Sequence, residues 1–156
     1  MKSATWEHKA FNDLTLEELY GLLRLRSEAF HVEQDCAYLD LDNKDQNSYH
    51  LLGKSKKGEL VAYARIIPPG VSFNEVSIGR VVTSHRTRGT GLGKMLMQKA
   101  IEAVYDKFGP VPVRIGAQCY LTRFYGSFGF LPDGEEYLED NIPHIEMVLP
   151  PKKVKP

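Results

Sequence analysis

The stretch VVTSHRTRGTGLGKMLMQKAIEAV, residues 81–104, constrains the chain more than any other: a β-branched run passes through three glycines into a helical pattern. Gly89, Gly91 and Gly93 free the backbone of side chains, and Arg86, Arg88 and Lys94 surround them with positive charge. A strand that enters a helix this way gathers unpaired backbone N–H groups and the positive helix end at one spot, which suits a phosphate. After the loop, Leu92, Leu96, Ala100, Ile101, Val104 and Phe108 predict one apolar face, opposed by Gln98, Glu102 and Asp106. Gly109 and Pro110 supply the stop.

Around this unit, LTLEELYGLLRLRSEAF predicts a helix. Thr15 and Glu18 have capping-box spacing, Leu14 is placed to staple onto Leu19, and Leu16, Leu19, Leu23 and Phe30 form the apolar stripe. YHLLGKSKKGELVAYARIIPP predicts two strands around a Lys/Gly turn, and EVSIGRVVTS a third. VPVRIGA is a short strand, LTRFYGSFGF a short helix running into a turn, and HIEMVL a last strand with Ile145, Met147 and Leu149 on one side. The order is helix, antiparallel strands, helix, strand, short helix, strand, a mixed α/β layer structure. Residues 1–150 are expected to form a single domain and 151–156 a frayed tail.

Between the first helix and the first hairpin lies HVEQDCAYLDLDNKDQNSYH. A calcium loop starting at Asp40 fails, because Lys44 takes the fifth ligand position and Asp45 the place of the turn glycine. A solvated acidic loop is the expectation.

Twenty basic residues balance twenty acidic ones, so no global field draws the chain to nucleic acid or an anionic membrane. Cys36 and Cys119 do not have metal-ligand spacing, so no metal is expected. Without a signal-peptide core or an apolar run approaching ~18 residues, a cytoplasmic protein with reduced thiols is expected.

Register separates the phosphate loops. In a Walker loop ending at Gly93 and Lys94, the first glycine would fall on Arg88, and Met95 replaces the magnesium-binding hydroxyl. In a dinucleotide loop starting at Gly89, the third glycine would fall on Lys94. The pattern [QR]xxGx[GA] fits, with Arg88, Gly91 and Gly93. Downstream, Tyr125 stands four residues before the Gly129–Phe130 pair.

These two motifs, with the IGRVVTS strand before them, resemble the GNAT superfamily of N-acetyltransferases. FHVEQDCAYLDLDNKD, HLLG and EEYLEDNIPHIEM extend the resemblance, from Leu22 to Met147, to its small bacterial ElaA-like branch. The resemblance implies the GNAT acyl-CoA N-acyltransferase fold, an α/β architecture with a central mixed, largely antiparallel sheet flanked by helices. It implies acetyl-CoA as cosubstrate and an amine of a small molecule or peptide as acceptor. It assigns the pyrophosphate to Arg88, Gly89, Thr90, Gly91, Leu92, Gly93 and Lys94, and the pantetheine arm to Val81, Val82 and Thr83. Gln118 stands where the family often has asparagine, so it keeps the amide at a different reach.

In this picture Tyr125 protonates the leaving thiolate, since an unperturbed phenol with pKa ~10 keeps its proton at neutral pH. The strand position that often carries a glutamate base holds Ser77; Glu75 shares its face and is the candidate base, with Glu33, Glu139 and His144 as rivals. Glu33, Asp140 and His144 are candidates to line an acidic pocket for a cationic amine. Asn141 replaces a glycine of this branch, and a family proline near Ser84 or His85 is absent. Cys119 has no sequence-adjacent histidine and reads as an inert thiol rather than a nucleophile. A non-catalytic acyl-CoA-binding or partner-binding module and a transferase using longer acyl donors stay open, as does the choice between monomer and homodimer.

Overall fold

A computed structural model describes residues 4–34 and 37–151 of the 156-residue chain. Cys36 and the expected frayed end from 152 onward lie outside the described residues. The strands are β1 (Thr5–Ala10), β2 (Tyr49–Lys54), β3 (Leu60–Ile67), β4 (Val76–Thr83), β5 (Val113–Gln118), β6 (Leu131–Pro132), β7 (Tyr137–Glu139) and β8 (Ile142–Leu149). They form one sheet in the order β1-β2-β3-β4-β5-β8-β6, with β7 also on β8. Every pairing is antiparallel except β4 with β5. That parallel pair requires a crossover, which helix α2 (Leu92–Phe108) supplies. The fold is a mixed, largely antiparallel sheet flanked by helices, the architecture the resemblance implies.

Period-2 alternation splits the strands between two cores. Leu51, Ala62, Ala64 and Ile78 face α2, where Leu96, Met97, Ala100 and Val104 are buried. Leu52, Tyr63 and Val82 face helix α1 (Leu16–Ser27), which buries Leu22 and Leu25. The α1 start matches its sequence signal: Thr15 Oγ1 accepts from the Glu18 N–H at 3.1 Å, and Glu18 Oε1 accepts from the Thr15 N–H at 2.9 Å. The predicted stripe needs one correction. Leu16 is exposed, and Leu22 and Leu25, a half-turn around, carry the burial.

β1, β6 and β7 are additions to the predicted order. β1 is an edge strand of mixed polarity, and Trp6 lies so close over Gly53 that a Cβ there would come within 2.6 Å of its ring. Only glycine fits.

The expectation of a solvated acidic loop is overturned. Asp40 and Asp45 are buried, and Asp42 is half-buried. Fully buried Arg26 donates from Nε to Asp40 Oδ2 (2.9 Å) and from Nη1 to Asp45 Oδ1 (2.8 Å). Arg65 of β3 donates to both Asp42 oxygens and to Asp45, and Arg80 of β4 donates from Nε to Asp40 Oδ1 (2.7 Å). Three guanidinium groups thus balance three carboxylates, which is how such burial becomes tolerable. The loop is sewn onto α1, β3 and β4.

Candidate active site

The parallel pairing of β4 with β5 consists of Val76 with Val113 and Ser77 with Arg114. Beyond Ser77 the two strands separate, and β4 presents an edge with no strand partner on that side. A cleft of about 630 Å³ opens there, lined by Ile78, Val81, Gly116, Gln118, Tyr125 and His144 among others.

Within β4 the register against β3 shifts, so that Arg80 and Val81 together oppose Ala64, and Arg80 takes φ +51°. This is a β-bulge, which turns the local backbone and leaves its polar groups out of the ladder. Val81 lines the cleft, Val82 is buried on the α1 side, and Thr83 pairs with Ala62.

One turn after β4, the chain reaches the glycine loop. Gly89 and Gly91 both have φ +80°, a conformation that disfavours any residue with a Cβ. Gly91 is the N-cap of α2, with no side chain capping the first turn. A Cβ at Gly89, Gly91 or Gly93 would meet nothing within 4 Å, so the backbone is open to close approach from outside. Thr90 Oγ1 donates to the Thr87 carbonyl and Leu92 is buried, fixing the loop from beneath, while Lys94 is exposed. These residues fit a phosphate group. Arg88 donates from Nη2 to Glu33 Oε2.

Tyr125 sits in the short helix α3 (Thr122–Gly126), with Phe124 and Phe130 edge-on to its ring at centroid distances of 5.3 and 6.0 Å. Burial, and then the neighbouring Tyr120, push its phenol up to about 12. The hydroxyl therefore holds its proton throughout the neutral range.

Across the cleft, β7 and β8 form a hairpin turning at Asp140 and Asn141, both with positive φ (51° and 63°). Asparagine tolerates that conformation better than most residues with a Cβ, which suits Asn141 to the turn. His144 of β8 is buried, lies over Tyr137 with ring centroids 5.8 Å apart, and has Nδ1 2.7 Å from the Ile142 carbonyl. A carbonyl can only accept, so Nδ1 carries a proton, and Nε2 stands 3.4 Å from Glu139 Oε2. Gly116 makes room for this packing, since a Cβ there would stand 2.9 Å from the Tyr137 hydroxyl.

The predicted residues are thus brought together only in part. Val81, Gln118, Tyr125 and His144 share the cleft. Glu75 does not: it accepts from Arg114 Nε at 3.0 Å and lines an adjoining hollow with Arg114 and Glu146. The acidic pocket is not assembled either, because Glu33 is engaged by Arg88 and Asp140 occupies the hairpin turn outside the cleft lining. Cys119 is half-buried, and burial followed by the Glu136 carboxylate pushes its thiol up, away from the nucleophilic thiolate. Among the described residues, no group of His, Cys, Asp and Glu is placed to hold a metal ion, and no helix is long and apolar enough to cross a membrane.

The cleft also contains residues the motifs do not point to. Lys44 Nζ donates to Ser72 Oγ at 2.9 Å, and Asp42, Arg65 and Arg80 form the adjoining wall. Their partners lie 23 to 40 residues away in sequence, so no local pattern announces them.

Comparison with known proteins agrees with the fold. The family model described as an acetyltransferase (GNAT) domain matches residues 12–150. Protein ElaA of Escherichia coli is 44% identical over 144 residues, covering 91% of this chain and 94% of that one. The crystal structure of an acyl-CoA N-acyltransferase from Pseudomonas aeruginosa superposes with a TM-score of 0.88 at 44% identity, covering 94% of this chain and 99% of the other. The crystal structure of E. coli ElaA gives 0.86, covering 93% and 98%.

Proposed function

Because the chain belongs to the acetyltransferase (GNAT) family, we propose that it moves an acetyl group from acetyl-CoA to an amine of a small molecule or peptide by direct attack. The observation that carries this is the parting of β4 from β5 after Ser77, which leaves a bare strand edge between the glycine loop and Tyr125.

On this reading, the free edge of β4 from Val81 to Thr83 pairs with the amides of the pantetheine arm as an added strand would. The backbone from Gly89 to Lys94 holds the pyrophosphate with the N–H groups that the start of α2 leaves unpaired. Arg88 adds charge once it turns from Glu33. Gln118, at the end of β5, offers its amide to the acyl end of the donor.

The attacking amine must lose a proton, since alkylamines are mostly protonated at pH 7. His144 takes that role on this reading: Nδ1–H is held by the Ile142 carbonyl, and Nε2 faces Glu139, whose carboxylate would steady the imidazolium. Glu75, tied to Arg114 outside the cleft, is poorly placed for it. The amine nitrogen bonds to the thioester carbon, and the bulge of β4 offers backbone N–H groups to the oxyanion. The carbon–sulfur bond then breaks, the sulfur takes the Tyr125 proton, and the second proton of the attacking nitrogen returns to the Tyr125 phenolate, leaving the neutral amide.

The test is release of free thiol from acetyl-CoA across a panel of amines, with a thermal-shift measurement of acetyl-CoA binding alongside. Thiol release that depends on the amine supports a transferase. Stabilisation by acetyl-CoA without any turnover would leave a binding module, and absence of both overturns the donor assignment.

A further inference from the structure

We propose that the acceptor carries a carboxylate as well as its amine, and that Lys44 with Ser72 is the subsite that reads it; this rests on the transferase reading above. The charge balance of the cleft wall carries the argument. Arg26, Arg65 and Arg80 are matched by Asp40, Asp42 and Asp45, each at hydrogen-bond distance. Glu146 accepts from Arg114 at 2.9 Å, an arginine it shares with Glu75 and Asp133. Glu139 faces His144. The Lys44 ammonium is the exception: among the described residues it has no carboxylate within ion-pair distance and donates to the Ser72 hydroxyl, while the backbone N–H of Lys44 donates to Asp42 Oδ1.

A half-buried ammonium on a cleft wall, with no carboxylate of its own at ion-pair distance, keeps its charge available to an anionic ligand. The geometry of its one contact favours an anion. Ser72 Oγ accepts from Lys44 and keeps its own hydrogen, so ammonium and hydroxyl together offer two donors to one oxygen pair. A single uncompensated positive charge matches a monoanion such as a carboxylate better than a phosphate dianion.

Different elements of the one cleft then meet the two groups of the acceptor. Lys44 and Ser72 belong to the acidic loop and to the β3–β4 connection, whereas His144 and Tyr125 lie on β8 and α3. An amine delivered to His144 and an anion delivered to Lys44 describe an amino acid or a peptide with a free carboxyl terminus. A purely cationic polyamine would leave Lys44 uncompensated and meet repulsion from it.

The experiment compares acceptors that share an amine and differ only at the carboxyl group: free amino acids and short peptides against their carboxamides and decarboxylated amines. The intact enzyme, Lys44→Met and Lys44→Arg are assayed, with acetyl-CoA binding followed separately by thermal shift. The free acids are expected to show kcat/KM about ten- to a hundred-fold above the carboxamides. In Lys44→Met that ratio is expected to collapse toward one, mainly through KM, and Lys44→Arg to restore part of it. Carboxamides or polyamines turned over as well as the free acids would overturn the proposal and leave the transferase standing. A preference for free acids that persists in Lys44→Met overturns the role of Lys44. No turnover of any acceptor, with acetyl-CoA binding intact, sinks this proposal together with the transferase reading.

Discussion

Arg26 Nε and Asp40 Oδ2 meet at 2.9 Å in a place where the arginine is wholly inaccessible to solvent. The contact ties α1 to the acidic loop that walls the cleft. Replacing Arg26 with Met leaves Asp40 and Asp45 short of a partner in the interior, and the expected loss is about 3–5 kcal/mol. Urea denaturation at pH 7 measures it; a loss below ~1 kcal/mol would show that the network contributes little.

Acid should destabilise the protein in two stages. His50 is buried between Tyr63 and the Asp45 carbonyl, and burial foremost lowers its affinity for a proton. The unfolded chain therefore binds that proton more readily, so stability falls as pH drops below ~6.5. Asp42 and Glu18 follow. Burial alone would raise both, yet hydrogen bonds from Arg65 and from Lys54 outweigh it and hold each at about 2. Their contribution is complete above the ordinary carboxylate range and drains as pH falls from ~4 toward 2. Urea midpoints that stay flat from pH 7 to 3 would contradict both stages.

Tyr125→Phe keeps the ring packing and removes the proton. General-acid contributions are typically 10²–10⁴-fold, so kcat should fall by about a hundred-fold or more with KM for acetyl-CoA nearly constant. With the phenol pushed up to about 12, the wild-type rate should show no alkaline decline from this group up to pH 10. A pH–rate profile under chemistry-limited conditions checks both points.

His144→Gln retains an amide that can still reach the Ile142 carbonyl but cannot take a proton. The expected result is a kcat loss of about a hundred-fold that shrinks when the assay pH approaches the pKa of the amine, where the acceptor is already neutral. A loss of equal size at every pH would assign His144 to packing instead.

Gly93→Ala separates folding from binding. Gly93 lies in the first turn of α2 with open space around its Cβ position, so alanine should stabilise the free protein by up to ~1 kcal/mol. The added methyl projects into that space, and affinity for coenzyme A should fall. A raised melting temperature with unchanged coenzyme A affinity would remove the loop from the donor site.

Local signals and distant ones fared differently. The capping box at Thr15, the α2 face and the β2–β3 hairpin are legible because each is built from residues within a few positions of one another. β1 escapes because Thr5, Glu7 and Lys9 give an edge strand little apolar contrast. The acidic loop misleads for a physical reason: its aspartates look solvated until Arg26, Arg65 and Arg80 arrive from three other elements. For the site, pattern locates the glycine loop and Tyr125 along the chain, but that Glu33 is engaged by Arg88 and Glu75 by Arg114 depends on pairings 55 and 39 residues apart.

The separation of β4 from β5 also has a mechanical meaning. With only Val76–Val113 and Ser77–Arg114 joining them, the sheet behaves as two panels bound along a spine two residues long, braced from behind by α2. Such a spine resists shear poorly. A ligand laid along the open seam would act as a splint, stiffening one panel against the other and slowing hydrogen exchange in strands it never touches.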